Sequence, residues 1–61
     1  MKDFIKVTLT EEMDNREIWI SKYQIVYMED DKKHSQSIIT LINAELKVKE
    51  SVLEIIEKFK A

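Results

Sequence analysis

The chain has 61 residues, with ten Lys or Arg against twelve Asp or Glu, and it contains no Gly, Pro or Cys. This length is that of a single small domain, residues 1–61; the lack of Cys excludes disulfides and thiolate chemistry, and the lack of Gly excludes the Gly-rich loops that hold phosphate groups. A formal net charge of −2 gives no overall attraction for nucleic acid. Because a core of this size is marginal and no disulfide can support it, we expect self-association to stabilise the protein.

The first half of the chain predicts three short strands. A polar connection follows the first strand, and its reversal is expected at Asp14-Asn15, since these residue types tolerate left-handed backbone. Ser21 can cap a short interruption between the second and third strands. The third strand is apolar on both faces. The predicted strands span residues 4–9, 17–20 and 25–29.

The second half predicts two further strands and a helix. Residues 37–42 and 45–49 are the strands, joined by a turn at Asn43-Ala44 that should be longer or more strained than a Gly-containing turn. Ser51 and Glu54 form a capping box at the start of a helix over residues 52–60. The apolar residues of this helix recur at one-face spacing, at Val52, Ile55, Ile56 and Phe59.

These elements predict a mainly β, α+β fold, a small bent antiparallel sheet or partial barrel of four or five strands with one C-terminal helix. One face of the sheet collects the residues expected to form the core with the helix: Ile5, Val7, Leu9, Ile18, Ile20, Ile39, Leu41, Leu46 and Val48. The short helix is unstable alone and must dock on this face.

The opposite face of the predicted sheet is also apolar, whereas a one-sided antiparallel sheet should be polar there. In the third strand, either Ile25 and Tyr27 or Val26 and Met28 belong to this face. Either the sheet curls so that both faces are partly covered, or the face is a contact patch for another subunit or protein. The candidate interaction patch comprises Phe4, Trp19, Tyr27, Ile38 and Ile42.

Catalytic, cofactor and metal sites are not predicted, and we expect a protein that is not an enzyme. The carboxylates fall into two groups, residues 11–14 and 29–31, in charged loops where water keeps their chemistry ordinary. His34 is the only His, and there is no Cys to complete a metal site with it. The chain start lacks the apolar stretch of a secretory signal, and no apolar run could span a bilayer, so we expect a cytoplasmic protein that is not inserted in the membrane.

Nucleic-acid binding is the alternative function. Small β-rich folds can stack bases on aromatic side chains inside a basic groove. The candidate contacts are Lys32, Lys33, Lys47 and Lys49. Acidic residues are interleaved with these lysines, and lysines on an outer strand also deter edge-to-edge pairing.

Residues 39–41 read Ile-Thr-Leu, residues 46–51 end in Val-Lys-Glu-Ser, and the predicted helix follows. Most closely in this "ITL, turn, VKES, helix" ending, but over nearly its whole length, the chain resembles the short bacterial FlbD/SwrD-like proteins associated with flagellar and swarming motility. The family usually has Gly in both hairpins and Pro-Asp-Thr before the fourth strand, and this chain does not. The resemblance implies a cytoplasmic non-enzyme, motility-related or a stand-alone relative, and it carries over no catalytic residue. The small core and the second apolar face around Trp19 predict an accessory protein that acts through protein–protein contacts.

Overall fold

The computed structural model describes residues 3–10 and 16–60, which form five strands and one helix. Single 3₁₀ turns at Lys22–Gln24 and Lys32–His34 flank the third strand. The mainly β fold with a C-terminal helix is therefore confirmed, and the predicted reversal at Asp14-Asn15 lies outside the described residues. The elements are β1 Phe4–Thr8, β2 Glu17–Ser21, β3 Ile25–Asp31, β4 Gln36–Leu41, β5 Glu45–Val48 and α1 Val52–Lys60.

The strands form two antiparallel sheets that share one junction. β1 pairs with β2, and β4 lies between β3 and β5. At the junction, Leu9 forms an isolated bridge with Val48. The Thr10 amide donates to the Lys47 carbonyl at 3.0 Å, and the Lys49 amide donates to the Thr8 carbonyl at 2.9 Å. These bonds continue one sheet into the other, with a bend where β1 passes β5.

The core lies between the inner faces of both sheets and α1. Its buried members are Ile5, Val7, Leu9, Ile20, Ile39, Val48 and Ile55, and Ile18, Leu41, Leu46 and Phe59 pack against them partly buried. Period-two alternation in the strands explains this set, because every second side chain faces inward. Full burial of one such aliphatic side chain stabilises the fold by about 1.5–3 kcal/mol.

The third strand departs from the predicted alternation. The register of β3 against β4 shifts between Ile25 and Tyr27, which marks a bulge. As a result Ile25 and Met28 pack against the core, while Val26 and Tyr27 are exposed. Both predicted pairs, Ile25 with Tyr27 and Val26 with Met28, are therefore wrong, because the extra residue of a bulge reverses the facing of those that follow.

The turn between β4 and β5 is the longer of the two predicted forms. Ile42 to Ala44 form this turn, closed by a 2.7 Å bond from the Leu41 amide to the Ala44 carbonyl. Among the described residues only Ser35 has positive φ, at 53°. The turn at Asn43-Ala44 is therefore longer and not left-handed, and left-handed backbone occurs instead at Ser35, where the 3₁₀ turn before β4 ends.

The N-terminus of α1 is satisfied by the predicted capping box. The Glu54 amide donates to Ser51 Oγ at 3.1 Å, and the Ser51 amide donates to Glu54 Oε1 at 3.3 Å. Asp30 of β3 adds a bond, since its Oδ1 accepts from the Val52 amide at 3.1 Å. One member of the predicted helix stripe is misplaced, because Ile56 is 38% exposed.

Candidate interaction surface

The outer face of the β1–β2 hairpin carries the largest exposed aromatic side chain in a strand. Trp19 of β2 is 58% exposed and lies directly opposite Lys6 of β1. Lys6 Nζ lies 5.6 Å from the centroid of the Trp19 ring, a distance at which a cation is attracted to the ring face. We call Phe4, Lys6 and Trp19 the hairpin face.

Phe4 extends the hairpin face toward the start of β1. It is 40% exposed and pairs with Ser21, two positions along the ladder from the Lys6–Trp19 pair. Phe4 and Trp19 are therefore diagonal neighbours on one face, within reach of each other for aromatic side chains. Since Ile5 and Ile20 face the core from the same strands, alternation forces Phe4 and Trp19 outward.

The other three residues of the predicted patch lie elsewhere in the fold. Tyr27 and Ile38 are diagonal neighbours on the outer face of the three-stranded sheet, because Tyr27 pairs with Thr40 and Ile38 pairs with Glu29. Tyr27 is exposed, whereas Ile38 is half-buried. Ile42 is exposed in the β4–β5 turn, where its amide donates to the Gln24 carbonyl at 3.0 Å. The structure thus divides the five residues between two sheets and a turn.

Among the described residues, four further large apolar side chains are exposed outside the predicted patch: Tyr23, Val26, Leu53 and Ile56. Tyr23, in the 3₁₀ turn after β2, has Lys22 Nζ 5.3 Å from its ring centroid. Leu53 and Ile56 share an exposed side of α1, three residues apart. The exposure of Leu53 could be predicted from the sequence, because helical spacing places it outside the apolar stripe of α1. No comparable pattern identifies Tyr23.

The four candidate lysines do not form a continuous basic groove. Lys32 and Lys49 line a surface depression of about 300 Å³, together with Asp30 and Asp31. Lys47 lines a second, shallow depression that also includes Asp31 and Glu45. Lys33 belongs to the Lys32–His34 turn. Carboxylates thus lie beside the lysines in both depressions, which weakens the field that a phosphate backbone would meet.

A chain of polar contacts crosses the shallow depression. His34 Nδ1 lies 2.8 Å from Asp31 Oδ2, which also accepts a 3.1 Å bond from Gln36 Nε2. Gln36 Oε1 in turn accepts from Thr10 Oγ1 at 3.0 Å. The bonds from His34 and then Gln36 lower the pKa of Asp31 below its usual value. This arrangement holds the turn before β4 against the end of β1.

Glu50 makes the corresponding connection between β1 and α1. Its carboxylate accepts from the Thr8 amide at 2.9 Å and from Thr8 Oγ1 at 3.1 Å, and it lies 3.7 Å from Lys58 Nζ. Lys58 Nζ also donates to the Lys6 carbonyl. Burial alone would raise the pKa of Glu50, but the Thr8 bonds, its own amide and the Lys58 charge outweigh burial and lower it. Glu50 and Lys58 thus cover the β1 edge opposite β2.

Within residues 3–10 and 16–60, no three His, Cys, Asp or Glu side chains are placed so that they could hold a metal ion together. No helix in these residues has the length and apolar character of a membrane span. The chain matches no protein-family model, and no curated protein or solved structure shows significant similarity to it. Among the described residues, the hairpin face combines an exposed indole with a neighbouring lysine and a second exposed aromatic ring.

Proposed function

We propose that this protein is a small non-enzymatic bacterial accessory protein that acts by protein–protein contact through the hairpin face. The observation that carries the proposal is Trp19, which remains 58% exposed in the middle of a strand whose neighbours are core residues. An indole is costly to leave in water, and Trp is enriched at the centres of protein interfaces. Lys6 beside the ring adds a polar rim to the apolar centre.

A cytoplasmic location, self-association and a place among the FlbD/SwrD-like proteins belong to the same proposal. They are supported by the sequence resemblance and by the small size of the core. The connection to motility follows only from the resemblance.

The test is capture of binding proteins from the source cell by the immobilised protein, by Trp19→Asp and by Ile42→Asp. Ile42 is the matched control, because it is 72% exposed and lies outside the hairpin face. We expect Trp19→Asp to fold, since its side chain is outside the core, and to lose at least ten-fold in captured protein, whereas Ile42→Asp retains capture. Equal capture by both variants would contradict the proposal.

Nucleic-acid binding by the lysines is the rival function, and a nuclease arm of the same capture separates the two. Protein retained by the hairpin face should survive nuclease treatment. If nuclease removes the captured material, and charge reversal of Lys47 and Lys49 prevents its capture, then the lysines carry the function.

A further inference from the structure

The outer edge of β2 faces no other strand among the described residues. The Leu9 amide donates to the Arg16 carbonyl, and the Lys22 amide donates to the Asp3 carbonyl, both at 2.9 Å. Hydrogen-bonded and non-hydrogen-bonded pairs alternate along an antiparallel ladder. The backbone groups of Ile18 and Ile20 therefore face β1, and those of Glu17, Trp19 and Ser21 face away from it.

The same alternation is seen on the other edge of the hairpin. There Phe4, Lys6 and Thr8 face away from β2; Thr8 bonds to Glu50 and Lys49, and the Lys6 carbonyl accepts from Lys58. Among the described residues β2 pairs with no second strand, so it is an edge strand of the sheet.

Among the described residues, β2 and β3 are the edge strands without a backbone partner on one side, and they differ in how they are protected against pairing with another strand. β3, the edge of the three-stranded sheet, has a bulge after Ile25 and ends in the acidic run Glu29–Asp31, both of which discourage pairing with another strand. Within Glu17–Ser21, β2 has no bulge, no Pro and no Lys, and its centre is Trp19. β2 is thus the edge at which the protein can accept another strand.

We infer that the strand added at this edge is β2 of a second copy, in an antiparallel arrangement about a two-fold axis at Trp19. The inference rests on the proposed function, because it takes the hairpin as the contact surface. The outward-facing positions, Glu17, Trp19 and Ser21, are symmetric about Trp19. Trp19 therefore pairs with Trp19 of the second copy, and Glu17 pairs with Ser21 of the second copy, each as a hydrogen-bonded pair.

Side chains and charges are compatible with this pairing. A two-fold axis perpendicular to the sheet keeps the inner faces on one side, so Ile18 meets Ile20 of the second copy. No like charges oppose each other within β2. The two Lys6 side chains are separated by three strand spacings, about 14 Å, which exceeds the screening length at physiological salt.

The small area of the contact is typical of weak complexes. Weak complexes bury less than about 1,200 Å² in total, or about 600 Å² on each partner. For this chain, whose surface is 4499 Å², that limit is roughly an eighth of the surface. One five-residue edge with Trp19 and Phe4 beside it belongs to this class. We therefore expect a dimer that forms at hundreds of micromolar protein and dissociates on dilution to about 1 μM.

Cysteine cross-linking tests the register, because the chain has no Cys and an introduced one is its sole thiol. Glu17→Cys and Ser21→Cys are prepared separately and mixed at about 300 μM under a glutathione redox buffer. The pairing places residue 17 opposite residue 21 of the second copy, at a Cα separation that a disulfide accepts. Two copies of residue 17 lie about 13 Å apart along the strands, which a disulfide cannot span.

We expect the mixture to give at least five-fold more cross-linked dimer than either variant alone, and Glu29→Cys, on the protected edge, to give only background. A mixture that cross-links no more than its components overturns the inference. Sedimentation of the unmodified protein is the second measurement, and a monomer throughout 10–500 μM also overturns it. If Trp19→Asp abolishes capture while no 17–21 cross-link forms, the proposed function stands and the self-pairing is wrong.

Discussion

Replacement of Glu50 by Gln tests how the C-terminal segment is joined to β1. The carboxylate accepts two bonds from Thr8 and lies beside Lys58, and its side chain is only 14% exposed. The amide that replaces the carboxylate keeps one acceptor oxygen for the Thr8 amide. Its NH₂ group then faces the Lys58 ammonium, which can only donate. Hydrogen bonds to charged groups are worth about 1.5–3 kcal/mol, so we expect Glu50→Gln to lower the free energy of unfolding by about 2 kcal/mol at pH 7. In a domain of this size that is a large part of the total.

The effect of Glu50→Gln on the free energy of unfolding should depend on pH, which tests the role of the Glu50 charge directly. The folded pKa of Glu50 is lowered below its ordinary value of 4.5, so ionised Glu50 favours the folded state. The stabilisation is therefore fully present above pH 4.5 and is lost as the pH falls through the lowered folded pKa. The difference in unfolding free energy between the wild-type protein and Glu50→Gln should be largest near pH 7 and should shrink toward pH 3.

Urea denaturation followed by Trp19 fluorescence and circular dichroism, at pH 7, 5, 4 and 3, measures this difference. Glu57→Gln is the matched control, because Glu57 is an exposed Glu of α1, the helix that follows Glu50, and it should change stability by less than about 0.5 kcal/mol. If the effect of Glu50→Gln is the same at every pH, ionisation of Glu50 does not stabilise the fold, and the electrostatic reasoning fails.

Substitutions at three further positions have expected outcomes. Ile39→Ala should cost about 2–5 kcal/mol, because Ile39 is fully buried, and circular dichroism should show a largely unfolded chain at 25 °C; a cooperative transition with unchanged midpoint would contradict the core assignment. Ser35→Gly should raise the urea midpoint by relieving the left-handed backbone, for a gain of about 0.5–1 kcal/mol, whereas Ser35→Val should lower it. Ser51→Ala should cost about 1 kcal/mol through loss of the N-cap, measured by thermal unfolding, and Ser51→Asp should retain most of the stability.

Local sequence rules account for most of the elements but not for the phase of β3. Alternation in β1 and β5 places the inward side chains correctly, and the Ser51–Glu54 spacing identifies the helix start. The bulge after Ile25 arises from pairing with β4, which is a tertiary contact that no window of adjacent residues records. The left-handed backbone at Ser35 could not be predicted for a related reason. The path of the chain between β3 and β4 requires a positive φ there, and the residue type Ser does not indicate it.

The sequence predicts which residues of the candidate patch point outward, but it does not predict that they lie on separate surfaces. Alternation places Phe4 and Trp19 outward, and both are exposed. Phe4 and Trp19 lie on a different sheet from Tyr27 and Ile38 because of the strand order, which the alternation of residues within a strand does not reveal. Likewise, the importance of Glu50 depends on its meeting Thr8, 42 residues earlier in the chain.

That separation also bears on how quickly the protein folds. The β1–β2 hairpin closes locally, yet the opposite edge of β1 is completed only by residues 47–50 and by Lys58. Closing a loop of this length costs chain entropy before any contact is gained, so folding should be slow for a domain of this size. Until that closure, both edges of the hairpin are open. The interval before the C-terminal segment arrives is therefore when the chain is most exposed to pairing with the wrong strand.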